Sequence, residues 1–451
     1  MAERAPWVGE HNLALLTDLY QLTMAQAYLE EGMTERAVFS LHVRALPRTR
    51  NYVLACGTQA VLPLLEELRF SEGAIAYLGS LERFSERFLD WLRGFRFSGD
   101  VYAVLEGTPV FAEEPLLEVE APLAEAQLVE TLIMNQVHLQ SALASKAARL
   151  VEAARGRPVV DFGLRRMHGA DAGLKGARAF HVAGLAASSN LLAGWVYGVP
   201  VTGTMGHSYI QAHEDEREAL RAFVRLYPDA VLLVDTYDTL RGVERVIALV
   251  RELGPGARVR GIRLDSGDLG ALARRARQML DAAGLRHLQI FASGGLDEYE
   301  IARLLEAGAP IDGFGVGSRL AVAEDAPAFD MAYKLTQYAG RGRLKTAPGK
   351  RILPGRKQVF RREEGGRALG DVIARAEERL PGRPLLHKVM EGGRVLEAGR
   401  EDLEAARARA RRELQALPER VRALEPAEPP YPVALSAALE QHLEEVRARV
   451  V

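Results

Sequence analysis

The chain has 451 residues, 48% of them hydrophobic and 26% charged, with a formal net charge of −2. This is an ordinary globular composition for about two or three domains with ample buried core. The near-neutral balance excludes nucleic acid or a membrane surface as a partner drawn by bulk charge. Cys56 is the only cysteine, which excludes an intrachain disulfide and a multi-thiolate zinc site.

Taken in chain order, residues 1–11 carry charges and a proline where a secretory leader needs an apolar run, so the mature chain is expected to begin here, in the cytoplasm. Residues 17–30 read as a helix, and 38–43 and 108–119 as strands. Residues 1–125 are therefore expected to form an α+β sandwich, completed by part of 350–400. From 126 to 349 short apolar strands alternate with amphipathic helices. The strands are expected at 159–162, 199–204, 231–235, 260–264, 289–292 and 313–316. Glu214 to Glu216 open one helix, Ser266 or Asp268 caps a second, and Asp297 a third. The run 179–213 holds no Asp, Glu, Lys or Arg, but its serines, asparagine, proline and glycines suit a helix and a buried strand better than a membrane span. After Pro354, strands at 358–361 and 384–389 with glycine turns lead into a charged helix at 401–414, a proline-rich linker and a last helix, a C-terminal segment spanning 350–451.

Repeated strand, loop and helix with short connections predicts an α/β fold, an irregular TIM-like barrel beside a discontinuous α+β sandwich. Asp161, Thr204, Asp235, Asp265, Ser293 and Ser318 all fall at or just past a strand's C-terminal end, where barrel active sites are built.

Gly294 and Gly295, then Gly315, Gly317 and Ser318, follow consecutive strands, and small residues there let backbone N–H groups approach a phosphate. Each loop alone suits a simple turn better; the pair favours an anion. Arg263 and Asp265 share one face of a strand, suiting a carboxylate and a sugar hydroxyl or magnesium, or else a supporting ion pair. His207 sits among small residues beyond a strand, with Asp235 ending the next one available to orient it; the competing reading is a structural histidine. Arg165, Arg166, Lys175 and Arg178 make a basic cluster that suits pyrophosphate or a solvated loop. Phe162 and Tyr20 are either core or brackets for a flat ring.

The segments Thr17-Asp18-Leu19-Tyr20-Gln21, Asp161-Phe162-Gly163-Leu164-Arg165-Arg166, Gly203-Thr204-Met205-Gly206-His207-Ser208 and Arg263-Leu264-Asp265-Ser266-Gly267-Asp268 resemble those of the nicotinate phosphoribosyltransferases, in that family's order. The resemblance runs from about Thr17 to Phe360. It implies the type II phosphoribosyltransferase fold and a homodimer with shared active sites, in which Tyr20 of one chain and Phe162 of the other stack on the pyridine. It further implies Arg263 near the pyridine substituent, Asp265 near the ribose and Arg165 facing phosphates. Thr204 would contact substrate, the glycines with Ser318 would hold the 5′-phosphate, and ATP would phosphorylate His207, assisted by Asp235. Magnesium would stabilise the departing pyrophosphate.

The related nicotinamide enzymes carry an aspartate in the stretch matching 184–190. This chain has none there, which favours nicotinate, a carboxylate that hydroxyls and Arg263 can receive. Quinolinate enzymes are usually shorter. A nicotinamide enzyme, another sugar-phosphate barrel enzyme such as an aldolase, and a non-catalytic relative are the alternatives; the aldolase leaves His207 and Tyr20 without roles, and the intact His207, Asp235, Arg263 and Asp265 speak against the non-catalytic relative.

Overall fold

A computed structural model of the chain describes residues 7–256, 258–346 and 351–450. It divides into two compact units, residues up to Ser145 with those from Ala328 onward, and Lys146–Pro327. The sequence places the first boundary at residue 125, whereas the division falls at 145, inside the unbroken helix Glu130–Ala153. The boundary expected at 349 lies outside the described residues, as does the start of the N-terminal stretch.

The central unit is built on six strands: β1 (Val159–Asp161), β2 (Ala187–Ser188), β3 (Ala230–Leu233), β4 (Val259–Leu264), β5 (Gln289–Ala292) and β6 (Gly313–Val316). They pair in the order β2-β1-β6-β5-β4-β3, every pairing parallel. Ile262 and Ile290 pair across the sheet, both with no exposed surface. Burying each stabilises the fold by roughly 1.5–3 kcal/mol. Because β2 and β3 do not pair, the sheet is a half-barrel, and the irregularity lies between those two strands.

The strand expected at 199–204 does not form: only Val201 bridges, in parallel, to Ser188. Pro200 has no N–H to give and Gly203 weakens an extended run, so the pairing stops after one residue. The short strand β2 occupies the sheet position instead, and the chain from there to β3 runs through the helices Leu191–Tyr197, His207–Gln211 and Glu216–Leu226. Among the described residues no helix is long and apolar enough to cross a membrane.

Helix starts follow the capping residues seen in the sequence. Asp268 accepts from Ala271 N at 3.0 Å and Asp297 from Glu300 N at 2.8 Å. Asp238 caps the helix Thr239–Leu253 by accepting from Arg241 N at 2.8 Å. Asp238→Ala is expected to lower stability by about 1 kcal/mol, read from urea unfolding midpoints, with no change in the denaturant slope.

The other unit interleaves the two ends of the chain, as expected for a discontinuous domain. In its seven-stranded antiparallel sheet Arg36–Val43 pairs with both Met331–Tyr338 and Pro115–Pro122, and Asp100–Val104 with Leu386–Glu391. Buried ion pairs join these distant segments. Lys357 meets Glu118 at 2.9 Å, and Arg361 meets Asp371 at 2.6 Å while donating to the Pro109 carbonyl at 2.8 Å. Breaking one such pair leaves an uncompensated buried charge, so these contacts fix which segments associate.

Candidate active site

The C-terminal ends of β1, β3, β4, β5 and β6 carry the polar residues singled out in the sequence, and the half-barrel brings most of them together. Asp265, just past β4, is the hub. Its Oδ1 accepts from the Ser293 hydroxyl beyond β5, and its Oδ2 lies 3.6 Å from His207 Nε2. Its backbone N–H donates to Asp235 Oδ2 at 2.8 Å, and the Ser266 hydroxyl donates to the same oxygen at 2.7 Å.

His207 begins the helix His207–Gln211, and its Nδ1 lies 3.1 Å from the Thr236 hydroxyl. The imidazole is therefore held by Thr236 and faces Asp265, and Asp235 instead braces the Asp265–Ser266 turn. Asp235 Oδ1 is buried without a hydrogen-bond partner. Thr236 is a site residue to which the sequence reading gave no role, whereas Ser266 was read there as a helix cap and Ser293 only as a polar residue at a strand end. The signal for Thr236 was its place directly after Asp235 at a strand end.

Arg263 points from β4 toward the Phe162 ring, its guanidinium carbon 5.9 Å from the centroid, and donates to the Met205 carbonyl at 3.0 Å. Burial pushes its pKa down, Asp265 and Asp235 oppose that, and Arg165 adds to it. Its Nε is buried without a hydrogen-bond partner. Phe162, Arg263, Thr204 and Gly315 line one cavity of about 360 Å³. A Cβ on Gly315 would fall 2.5 Å from the Phe162 ring, so glycine lets that ring lie against β6. Gly315→Ala is expected to cost about 1–3 kcal/mol in thermal unfolding, since the ring must move.

The two glycine loops are neighbours because β5 and β6 pair. Gly294 has φ +93°, and a Cβ there would meet the Asp265 carbonyl oxygen at 1.8 Å, so only glycine fits. The backbone N–H groups of Gly294, Gly295 and Gly317 have no hydrogen-bond partner among the described residues, and Ser318 is exposed. Together they present donors suited to an anion.

The basic cluster expected around Arg165 is smaller than its sequence suggests. Arg165 and Arg166 are exposed on a turn, but Lys175 is paired with Asp171 at 2.7 Å and Arg178 is buried. In the stretch lacking an acid, Ser188 is also committed. Its hydroxyl donates to Asp161 Oδ2 at 2.7 Å and accepts from Asn190 N at 3.1 Å. Asp161 is itself buried, which raises its pKa against the lowering effect of the Ser188 and Gly163 donors.

Tyr20 belongs to the other unit, near the start of the helix Leu19–Glu30, with 49% of its surface exposed. Partial burial and the charge of Glu130 raise its phenol pKa.

A parallel half-barrel whose strand ends gather a histidine, two carboxylates, an arginine and two open glycine loops defines an α/β enzyme. Comparison with known proteins makes the class specific. Models of the nicotinate phosphoribosyltransferase (NAPRTase) N-terminal domain, the NAPRTase family and the nicotinate phosphoribosyltransferase C-terminal domain match residues 15–138, 158–361 and 381–443. The likeness thus extends beyond Phe360, where the resemblance read from the sequence ends, into the C-terminal segment.

The chain is 54% identical to the nicotinate phosphoribosyltransferase pncB2 of Mycobacterium tuberculosis, over 98% of this chain and 95% of that one. It is 40% identical to the nicotinate phosphoribosyltransferase of Bacillus subtilis, over 82% and 78%. The crystal structure of human nicotinic acid phosphoribosyltransferase superposes with a TM-score of 0.85 at 29% identity, over 95% of this chain and 99% of that one. The chain belongs to the nicotinate phosphoribosyltransferase family, whose members serve NAD biosynthesis.

Proposed function

We propose that this enzyme joins nicotinate to phosphoribosyl pyrophosphate, with ATP cleavage coupled through phosphorylation of His207. The observation that carries the acceptor assignment is the cavity in which the Arg263 guanidinium, with a buried and unpartnered Nε, lies beside the Phe162 ring. An aromatic acid supplies what both groups lack, a carboxylate for the cation and a flat face for the ring. The absence of an acid in the stretch 184–190 supports nicotinate over nicotinamide, because a carboxamide gains from an acceptor and a carboxylate is repelled by one.

The pyridine nitrogen lone pair forms the new bond to ribose C1 as the bond to pyrophosphate breaks, and pyrophosphate leaves with that electron pair. Asp265, fixed by Ser293, suits the ribose hydroxyls, and the free N–H groups of the glycine loops with Ser318 suit the 5′-phosphate. Arg165 faces the leaving pyrophosphate, and Thr204 contacts the substrate at the cavity wall. Asp235 and Asp265 fit magnesium, since a buried carboxylate oxygen of Asp235 has no partner and two carboxylates with substrate phosphates complete such a site. Held by these carboxylates, magnesium would supply positive charge against the departing pyrophosphate. Among the described residues no group of three His, Cys, Asp or Glu forms a metal site without substrate.

A homodimer is part of this reading, with Tyr20 of one chain completing the pyridine site of the other. It is supported by the helix Leu191–Tyr197, which leaves Leu191 77% and Trp195 85% exposed, an apolar face suited to association. The single cysteine suits a reducing compartment such as the cytoplasm.

Nicotinate, phosphoribosyl pyrophosphate, magnesium and ATP incubated with the enzyme should yield nicotinate mononucleotide; no product would sink the reading. Tyr20→Ala is expected to raise the KM for nicotinate by roughly tenfold, the loss of one stacked ring, while ATP cleavage persists. Mixing Tyr20→Ala with Arg263→Ala protomers should restore activity if the sites are shared, and equal loss of both activities would argue against stacking.

A further inference from the structure

The sheet does not hold the two glycine loops together. The pairing of β5 with β6 ends at Ala292 opposite Phe314. Past β5 the chain turns to β4, with Ser293 N donating to the Leu264 carbonyl at 2.8 Å; past β6 it turns to β1, with Phe162 N donating to the Val316 carbonyl at 2.8 Å. Gly294 and Gly295 both have positive φ, +93° and +65°, and glycine backbone has the most freedom to lose. An anion gripped by both loops needs a fixed gap between them, and the backbone ladder does not set it.

The side chains that follow the glycines do. Asp297, two residues past Gly295, divides its carboxylate. Its Oδ1 accepts from Glu300 N at 2.8 Å and caps the helix Glu298–Glu306, while its Oδ2 pairs with Arg319, the residue after Ser318. A second bridge runs deeper. Glu298 has no exposed surface; Arg149 Nε lies 2.9 Å from its Oε1 and Lys146 Nζ 2.5 Å from its Oε2. The same Lys146 Nζ is 2.8 Å from Asp325, downstream of the second loop. The deep bridge is made of buried charges whose loss destabilises the fold. Arg319 is different: its side chain is 40% exposed, and a pair so open to water adds little to stability. What it contributes is its place between the loops.

We propose that Arg319 is a positioning residue for the sugar-phosphate substrate, setting through Asp297 the separation of the two glycine loops that one phosphate spans. Its guanidinium is taken up by Asp297 and, at 3.3 Å, by Glu324, so it acts through the loops and not on the phosphate. The inference rests on the reading of those loops as the 5′-phosphate site.

Steady-state kinetics test it. Arg319→Ala is expected to raise the KM for phosphoribosyl pyrophosphate about tenfold, with the nicotinate KM and the thermal midpoint unchanged; a misplacement of about 1 Å can cost up to about 100-fold. Asp297→Asn should give the same rise, because asparagine caps a helix as well as aspartate and only the charge is lost. The double variant should be no worse than either single one, since both break one contact. Arg319→Lys should recover most of the affinity, since a single N–H holds Asp297. An unmoved KM for phosphoribosyl pyrophosphate in Arg319→Ala, an equal rise in the nicotinate KM, additive losses in the double variant, or no rescue by lysine overturns the proposal. Ser318→Ala keeps the two readings apart. An unchanged KM for phosphoribosyl pyrophosphate there defeats the loop reading itself, whereas a rise there without one in Arg319→Ala defeats only the positioning role.

Discussion

Replacing Arg263 with alanine is expected to lower kcat/KM for nicotinate by between about 30-fold and a few thousand-fold, mostly through KM. Truncating one partner of a buried, hydrogen-bonded charge pair costs about 2–5 kcal/mol, and about 1.4 kcal/mol is a factor of ten. The guanidinium remains protonated despite the burial that lowers its pKa, because arginine does not titrate in the working range. Its planar fork suits a carboxylate, so Arg263→Lys should recover only part of the loss. The Met205 carbonyl also loses its donor in the alanine variant, and a thermal scan separates that structural cost from the binding defect. An unchanged KM for nicotinate with a raised KM for phosphoribosyl pyrophosphate would move Arg263 to the sugar-phosphate side of the site.

His207→Ala is expected to abolish labelling of the protein by the γ-phosphate of ATP and to make nucleotide formation indifferent to ATP. In the proposed cycle, phosphoryl transfer forms a P–N bond to the imidazole as the bond to ADP breaks, and hydrolysis of that P–N bond then releases phosphate. Linked equilibria of this kind are worth about 5- to 150-fold, the drop expected in kcat/KM for phosphoribosyl pyrophosphate at saturating ATP. Thr236→Val should give a smaller effect of the same kind, about tenfold, since the ring loses the hydroxyl 3.1 Å from Nδ1 that orients it. Labelling that survives in His207→Ala would place the phosphate elsewhere. Full labelling in Thr236→Val would show that Asp265 alone orients the ring.

The hub position of Asp265 links these two results. The same carboxylate faces His207 and accepts from Ser293, whose strand leads into the glycine loop. A phosphoryl group on His207 would bring negative charge to that carboxylate, so phosphorylation has a direct route to the sugar-phosphate end of the site.

By itself the sequence determined the alternation of strands and helices, the capping aspartates 268 and 297, and the family. It also placed the chemistry-bearing residues at strand ends. These are short-range properties: periodicity and caps are set within one or two turns of chain, and motifs are contiguous. Only the tertiary structure decided which of those residues meet. His207 and Thr236 are 29 positions apart, and Arg263 and Met205 58 apart, so their contacts depend on strand order and side-chain direction, which no local pattern encodes. Asp235 is adjacent to the histidine's partner and yet holds a backbone turn, and Ser188 is drawn to Asp161 rather than left for substrate. The strand expected at 199–204 failed for a local reason, Pro200 and Gly203, but its place in the sheet was taken by β2, which only pairing with β1 defines.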